Sequence, residues 1–313
     1  MNNRIPAEWE PHNSVWLAWP YDLTSFGSLN EPEKKMNPAR LPAVEKVFLQ
    51  IVQALSASEQ VNLIVRDRKA FPHNLANVSL FEANYADIWT RDYLPIFTGT
   101  AALKFTYNAY GSQFPGLLKD NDVWKELNKN VSLETIETGI ILEPGAIEMN
   151  GAGVLLTTEQ CLLKRNPHMS KADYEKIFAK YLGITQTIWL KDGLPNDHTD
   201  GHVDETVRFV SPSKVLCVLE QDNAILKKTF ETVVLLLPNM KYNDGKQAPA
   251  SYANFYIGNS VVLVPTFRDP HDEIALKIIQ QCFPDRSVVG IDCVDIIYGG
   301  GTLHCMSQQQ PQP

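Results

Sequence analysis

Pro42-Ala43-Val44-Glu45-Lys46-Val47-Phe48-Leu49-Gln50-Ile51-Val52-Gln53-Ala54-Leu55-Ser56 carries apolar side chains at Val44, Val47, Phe48, Ile51, Val52 and Leu55. That spacing lines one face of a helix. Before it stands Val15–Pro20, rich in aromatics and closed by proline, and after it Val61–Val65, and both read as buried strands. The alternation recurs downstream. Ser170 caps a second helix, with Asp173 three residues on, a Met169–Tyr174 apolar staple across its start and Gly183 to end it. Strands follow at Thr187–Leu190 and Val215–Leu219. A further helix begins after Asp269, with Pro270 at its first position and Ile274, Ile278 and Ile279 on one face, and leads into the strand Val288–Ile291. Strands alternating with helices predict an α/β fold, and no linker or shift of composition divides the chain, so 1–313 reads as a single domain. The repeated cycle permits a circular arrangement of similar units, which periodicity alone does not separate from an open sheet.

Composition narrows the partners. A net charge of −8 disfavours nucleic acid, whose phosphates need a basic surface, and mildly favours a cationic ligand. No apolar run reaches bilayer-spanning length, and Met1–Glu8 lacks the apolar segment of a leader peptide, so a cytoplasmic location with no membrane partner is expected. The five cysteines are odd in number and include no CxxC pair, which speaks against a disulfide framework or a zinc ribbon and for a reducing compartment.

Four polar stretches carry the candidate chemistry. Gly299-Gly300-Gly301-Thr302-Leu303-His304-Cys305-Met306-Ser307-Gln308 puts a thiol just after three glycines, whose backbone can take positive φ and approach a ligand closely. Such a setting exposes a reactive side chain, while an unpaired cysteine is otherwise a small buried hydrophobe, and this stretch alone leaves both readings of Cys305 open. Structure so near a terminus also implies that the chain end is tied into the fold. In Asn196-Asp197-His198-Thr199-Asp200-Gly201-His202-Val203-Asp204-Glu205, an extended backbone would turn His198, Asp200, His202 and Asp204 to one face. They could ligate zinc or iron, or His202 could act as acid and base while the aspartates bind a cation, or the segment could be a solvated loop.

Asp87-Ile88-Trp89-Thr90-Arg91-Asp92-Tyr93-Leu94-Pro95-Ile96-Phe97 places Trp89 as a flat wall near the Asp92 carboxylate, a cage for a planar cation, beside the plainer reading of a core Trp and a surface Arg91–Asp92 pair. Leu142-Glu143-Pro144-Gly145-Ala146-Ile147-Glu148-Met149-Asn150-Gly151, leading into Val154–Leu163, is a hairpin whose strand end presents Glu143 either to a cleft or to solvent. Glu148 reads either way. Jointly the stretches offer a thiol, histidines and carboxylates. A thiol with a histidine suits attack on a trigonal carbon, and carboxylates suit the rigid donor fork of a guanidinium.

Ile5–His12 with Trp16–Pro20, Trp89–Asp92, Leu142-Glu143, Thr157–Leu163, Asp200–Asp204, Ser251–Phe255 and Gly299–Cys305 together resemble the agmatine deiminase family, also described as peptidylarginine-deiminase-like, among the guanidine-modifying enzymes. The resemblance runs nearly end to end. It implies a five-bladed α/β propeller, the pentein fold, with pseudo-fivefold arrangement and a site in the central channel. It also implies a chemistry without metal or organic cofactor and a small cationic guanidine substrate. By position, Cys305 matches the nucleophile, His202 the general acid and base, Asp92 and Asp204 the carboxylates that clasp the guanidinium, Glu143 a further acid and Trp89 a pocket wall. The reaction implied is hydrolysis of agmatine to N-carbamoylputrescine and ammonia through a covalent cysteine thiouronium, with a putrescine-forming role.

Two positions depart from the family pattern: Leu94 stands where glycine is common, and Pro144 replaces the first glycine of Glu-Gly-Gly. Substrate choice is therefore the open point. Free or peptidyl arginine would need a cation for its carboxylate, and Arg91, Arg165 and Arg208 are the candidates. The rival chemistry is a metal-dependent hydrolase built on His198, Asp200, His202 and Asp204. His198 and His304 receive no catalytic role, and the oligomeric state, a homo-oligomer included, is not encoded in any readable motif.

Overall fold

The computed structural model describes residues 4–21 and 40–313. Of the octet read for a leader peptide, Met1–Asn3 lie outside the described residues. Among the described residues no helix is long and apolar enough to cross a membrane.

The helix announced by the 3.6-residue pattern spans Arg40–Ser56 and buries Val44, Phe48, Ile51, Val52 and Leu55. It connects β1 (His12–Ala18) to β2 (Gln60–Val65), which pair in parallel, and β3 (Val78–Glu82) adds a further parallel neighbour. Four more sheets follow: β4 (Ile96–Phe97), β5 (Ala101–Thr106) and β6 (Glu134–Ile141); β7 (Ile147–Met149), β8 (Val154–Thr158) and β9 (Gln186–Leu190); β10 (Val207–Ser211), β11 (Lys214–Cys217) and β12 (Glu231–Val234); β13 (Tyr256–Ile257), β14 (Val261–Thr266) and β15 (Ser287–Asp292). Each has one plan. The first two strands form an antiparallel pair, a helix crosses over, and the third strand returns parallel to the second. A parallel return needs such a crossover, because a tight turn cannot reverse the chain twice.

The sheet of β1 completes that plan with the other end of the chain. β16 (Gln308–Pro311) pairs antiparallel with β1, so the last residues supply the strand that the first sheet lacks. The Trp16 indole donates to Gln310 Oε1 at 3.0 Å, and its ring packs on Phe81, Phe97 and Trp124, joining this sheet to the next. Such aromatic pairs contribute about 0.5–1.5 kcal/mol each beyond their burial.

Local signals were mostly obeyed. The Ser170 side chain and Asp173 form a reciprocal capping box, and Gly183 ends that helix at φ 67°, a left-handed conformation that suits glycine. Two readings need correction. The last helix spans Asp272–Cys282, so Pro270 lies before its cap rather than at its first turn. Ile274 is 47% exposed, and the buried face runs instead through Ala275 and Ile279.

The plan also positions the site. The segment just before each sheet's leading strand carries a polar group: Asp92 before β4, Glu143 before β7, His202 and Asp204 before β10, Asn254 before β13 and Cys305 before β16. Hydrogen bonds tie these segments together. The Thr90 hydroxyl donates to the Trp16 carbonyl at 3.1 Å and to that of Met306 at 2.8 Å, and the Arg91 amide donates to the Cys305 carbonyl at 3.1 Å.

Candidate active site

Cys305 lies 3% exposed rather than open to solvent, inside a ring of polar groups. Its Sγ is 3.7 Å from Asp204 Oδ2 and 3.5 Å from Glu205 Oε1, and the Asn254 amide donates to it at 3.2 Å. Gly301 backs the thiol: a Cβ there would meet Cys305 Sγ at 3.0 Å and Trp89 Cζ3 at 3.1 Å, so the glycine lets the Trp89 ring and the sulfur share one face. Neighbouring Gly300, at φ 102°, gives way to His198, whose Nδ1 would sit 2.7 Å from an added Cβ.

Asp92 comes from the short helix Thr90–Tyr93 and is buried with Arg91, which removes the surface-pair reading. Its Oδ2 accepts from the Tyr110 hydroxyl at 2.8 Å, and its Oδ1 has no hydrogen-bond partner. Tyr110 holds φ 57°, an uncommon conformation for an aromatic residue. His202 is fully buried, with Nδ1 3.7 Å from Asp92 Oδ1 and Nε2 3.7 Å from Glu143 Oε2. Both Glu143 oxygens accept from Arg165 Nε, at 3.0 and 2.8 Å. Gly145 makes the convergence measurable: a Cβ at that position would lie 2.7 Å from Asp92 Oδ1, 2.8 Å from His202 Nδ1 and 3.2 Å from Asp204 Oδ2.

The electrostatics follow from burial and charge. Burial, with Asp204 and Glu143 nearby, pushes the Asp92 carboxyl up to about 7 despite His202. Burial disfavours the His202 cation, yet Asp92, Cys161 and Glu143 together hold its pKa well above the usual imidazole range. Glu143 and Asp204 also suffer burial, and their cationic partners outweigh it and keep them low: His202 and Arg165 for Glu143, His304 foremost for Asp204. Burial, Asp204, Glu205 and Asp92 raise the Cys305 thiol well above its usual value.

The structure therefore brings together Cys305, His202, Asp92, Asp204, Glu143 and Trp89. It does not bring together His198, Asp200, His202 and Asp204. Asp200 and Gly201 take φ 64° and 93°, so the segment is not extended and its side chains do not alternate. Asp200 turns outward to Lys164 and Arg165, at 3.0 Å from each. The metal-hydrolase cluster is thereby corrected: among the described residues, ligand-type groups close enough to share an ion are Glu143–Cys161–His202 and Asp204–Glu205–Cys305.

Several site residues were not singled out in the sequence. Tyr110 left no signal in the pattern. Asn254 lay inside the Ser251–Phe255 motif and Glu205 adjoined Asp204, but neither was given a role. His304, left without one, bridges two carboxylates, with Nδ1 2.6 Å from Asp204 Oδ2 and Nε2 2.9 Å from Glu8 Oε2. Glu8 in turn faces Arg208 at 2.9 Å and Arg91 at 3.4 Å, and Arg208 also meets Glu148 at 3.2 Å, so Glu148 is an internal anchor rather than a surface group.

Comparison with known proteins meets this geometry from outside. Residues 4–311 match the model of the Porphyromonas-type peptidyl-arginine deiminase family. The chain belongs to that family. An agmatine deiminase of Pseudomonas fluorescens is 31% identical over 358 residues, covering 99% of this chain and 95% of the relative. The solved structure of a cysteine-to-serine variant of C. jejuni agmatine deiminase with substrate bound superposes at a TM-score of 0.88, with 28% identity, over 97% of this chain and 95% of that one. A dimethylarginine dimethylaminohydrolase at 14% identity matches with a TM-score of 0.61 over 95% of this chain and 99% of that one, a likeness of fold alone.

The two departures from the family pattern fit their backbone. Leu94 is 2% exposed in an apolar cluster with Tyr93, Tyr107 and Tyr110, and its φ of −81° makes no demand for glycine. Pro144 opens the 3-10 turn Pro144–Ala146, where its fixed φ is suitable. Gly145 has no such latitude. Gly145→Ala is expected to lower kcat/KM at least about 100-fold, the scale set by roughly 1 Å of misplacement at a reacting centre, while the protein keeps a cooperative melt. Steady-state kinetics beside thermal denaturation check it, and near-native kinetics would show that the carboxylates do not converge there.

Proposed function

We propose that this protein hydrolyses agmatine to N-carbamoylputrescine and ammonia, with Cys305 as nucleophile. One observation carries the reading: the buried Asp92 Oδ1 and Asp204 Oδ1 have no hydrogen-bond partner, the two carboxylates converge at Gly145, and Asp204 stands 3.7 Å from the Cys305 sulfur. Buried acceptors left empty call for donors, and a guanidinium supplies them in a planar fork. Asp92 and Asp204 clasp the cation, Trp89 walls it, and Glu143 with Arg165 fixes His202.

The bonds then change in order. The Cys305 thiolate attacks the central guanidinium carbon, the His202 cation gives a proton to a departing nitrogen, and ammonia leaves a thiouronium on sulfur. His202 takes a proton from water, the resulting hydroxide adds to the same carbon, and the C–S bond breaks as the added hydroxyl gives its proton to bulk water, which releases the thiolate and the product with its ureido group neutral. The reaction consumes only agmatine and water. The five similar sheets are read as a five-bladed propeller with pseudo-fivefold arrangement, closed by β16, in one catalytic domain over 1–313. Five free thiols suit a reducing, cytoplasmic setting.

Agmatine is favoured over arginine because the candidate partners for a substrate carboxylate are already committed. Arg165 faces Glu143 and Asp200, Arg208 faces Glu8 and Glu148, and Arg91 faces Glu8. A ureido-specific colorimetric assay across agmatine, arginine and a peptidyl arginine tests this. Product is expected from agmatine, falling at least about 10,000-fold in Cys305→Ala. Turnover of arginine or its peptide without agmatine would move the substrate, and full turnover by Cys305→Ala would remove the nucleophile.

The pH profile follows from Asp92. Its carboxyl titrates at about 7 in the free protein, so acidification below that value neutralises one jaw of the clasp and kcat/KM falls. A bound cation favours the carboxylate, so the acid limb of kcat lies at lower pH than that of kcat/KM. Coincident limbs, or a rate that rises on acidification, would contradict this assignment.

A further inference from the structure

Attack requires a thiolate, and the Cys305 proton needs a destination. His202 is not placed to take it, because its ring nitrogens face Asp92 and Glu143 at 3.7 Å and its cation is already favoured by those anions. Asp204 is near, at 3.7 Å from Sγ, but the same Oδ2 is held by His304 at 2.6 Å. Glu205 is closer and uncommitted. Its Oε1 lies 3.5 Å from Sγ, and its Oε2 is buried without any hydrogen-bond partner. The 3-10 turn Val203–Glu205 is what sets both acids against the sulfur from one short segment.

We propose that Glu205 is a further catalytic residue, the base that receives the Cys305 proton when a cationic substrate binds. The inference rests on Cys305 being the nucleophile. In the step, the S–H bond breaks, its proton bonds to Glu205 Oε1, and the sulfur keeps the electron pair. Starting from the Glu205 carboxylate, the pair carries one negative charge before and after the transfer. Burial, then Asp204 and Asp197, raise the Glu205 carboxyl well above its usual range, against Cys305 and His202, which makes its carboxylate a stronger proton acceptor than an ordinary one; Tyr242 feels its charge. A thiol and a carboxyl this close and this dry do not both ionise, and the guanidinium charge selects the thiolate beside it.

Glu205→Gln keeps the shape and removes the base. The expected result is a kcat lower by about 100-fold or more with KM for agmatine within about threefold, since general base catalysis is worth that much and the clasp is untouched. The rate of the variant also climbs with pH where the native rate is level, as solvent takes over the proton. Native kcat with a native profile would overturn the assignment. On the native protein, difference infrared spectroscopy with acetamidinium as the bound cation gives an arm that needs no folded Glu205 variant. The S–H band of Cys305, identified by its loss in Cys305→Ala, disappears while a protonated-carboxyl band sensitive to D2O appears. Persistence of the S–H band, or its loss without the carboxyl band, overturns the proposal. A fully active Glu205→Gln beside an inactive Cys305→Ala removes Glu205 alone, whereas an active Cys305→Ala removes the nucleophile itself.

Discussion

Four carboxyl groups, Asp92, Glu143, Asp204 and Glu205, are held out of water around His202 and Cys305, and the surrounding structure answers the cost of that burial. An isolated buried anion is expensive, and removing one member of a buried ion pair typically destabilises by about 3–5 kcal/mol. The arrangement therefore needs fixed cations behind it. Arg165 supplies one to Glu143. His304 links Asp204 to Glu8, and Arg208 and Arg91 hold Glu8, so the Glu8 carboxyl stays well below its usual range although burial works the other way. What remains unpartnered is the set of open oxygens on Asp92, Asp204 and Glu205; in the proposed reaction a guanidinium completes those of Asp92 and Asp204, and Glu205 takes the Cys305 proton.

The fold delivers these groups by repetition. The polar segments stand where the chain passes from one sheet to the leading strand of the next, so side chains as distant in sequence as Asp92 and Cys305 join one buried cluster. The same plan explains why the C-terminus is ordered: β16 is both the missing strand of the first sheet and the anchor that sets Cys305 three residues before it. Gly145, Gly300 and Gly301 then allow the close approaches that a Cβ would block.

Much of this was legible in the sequence, but unevenly. The helix over Arg40–Ser56 and the capping box at Ser170 are local signals, and local physics set them. The shared plan of the sheets was not legible, because it is a pattern of strand directions rather than of residues. The reading of His198, Asp200, His202 and Asp204 as one face failed for a specific reason: positive φ at Asp200 and Gly201 breaks the alternation on which it depended. Ile274 was misplaced because Ile274 and Ile279, five positions apart, lie about 140° apart around a helix, and the buried face is the i, i+4 pair Ala275 and Ile279. Tyr110, Asn254 and His304 owe their roles to partners across 18 to 100 residues of chain, which no spacing rule reports. The ordered motifs named six candidate residues through family resemblance, and the coordinates bring those six together.

The central claim is that the sulfur of Cys305 becomes covalently bound to the substrate's guanidinium carbon. Acid quenching of the protein during turnover of agmatine, followed by proteolysis and mass spectrometry, examines that bond. The account predicts a transient peptide containing Cys305 heavier by agmatine less one ammonia, and no such adduct on Cys161, Cys217, Cys282 or Cys293. An unmodified Cys305 at every quench time, with ureido product accumulating regardless, would contradict it.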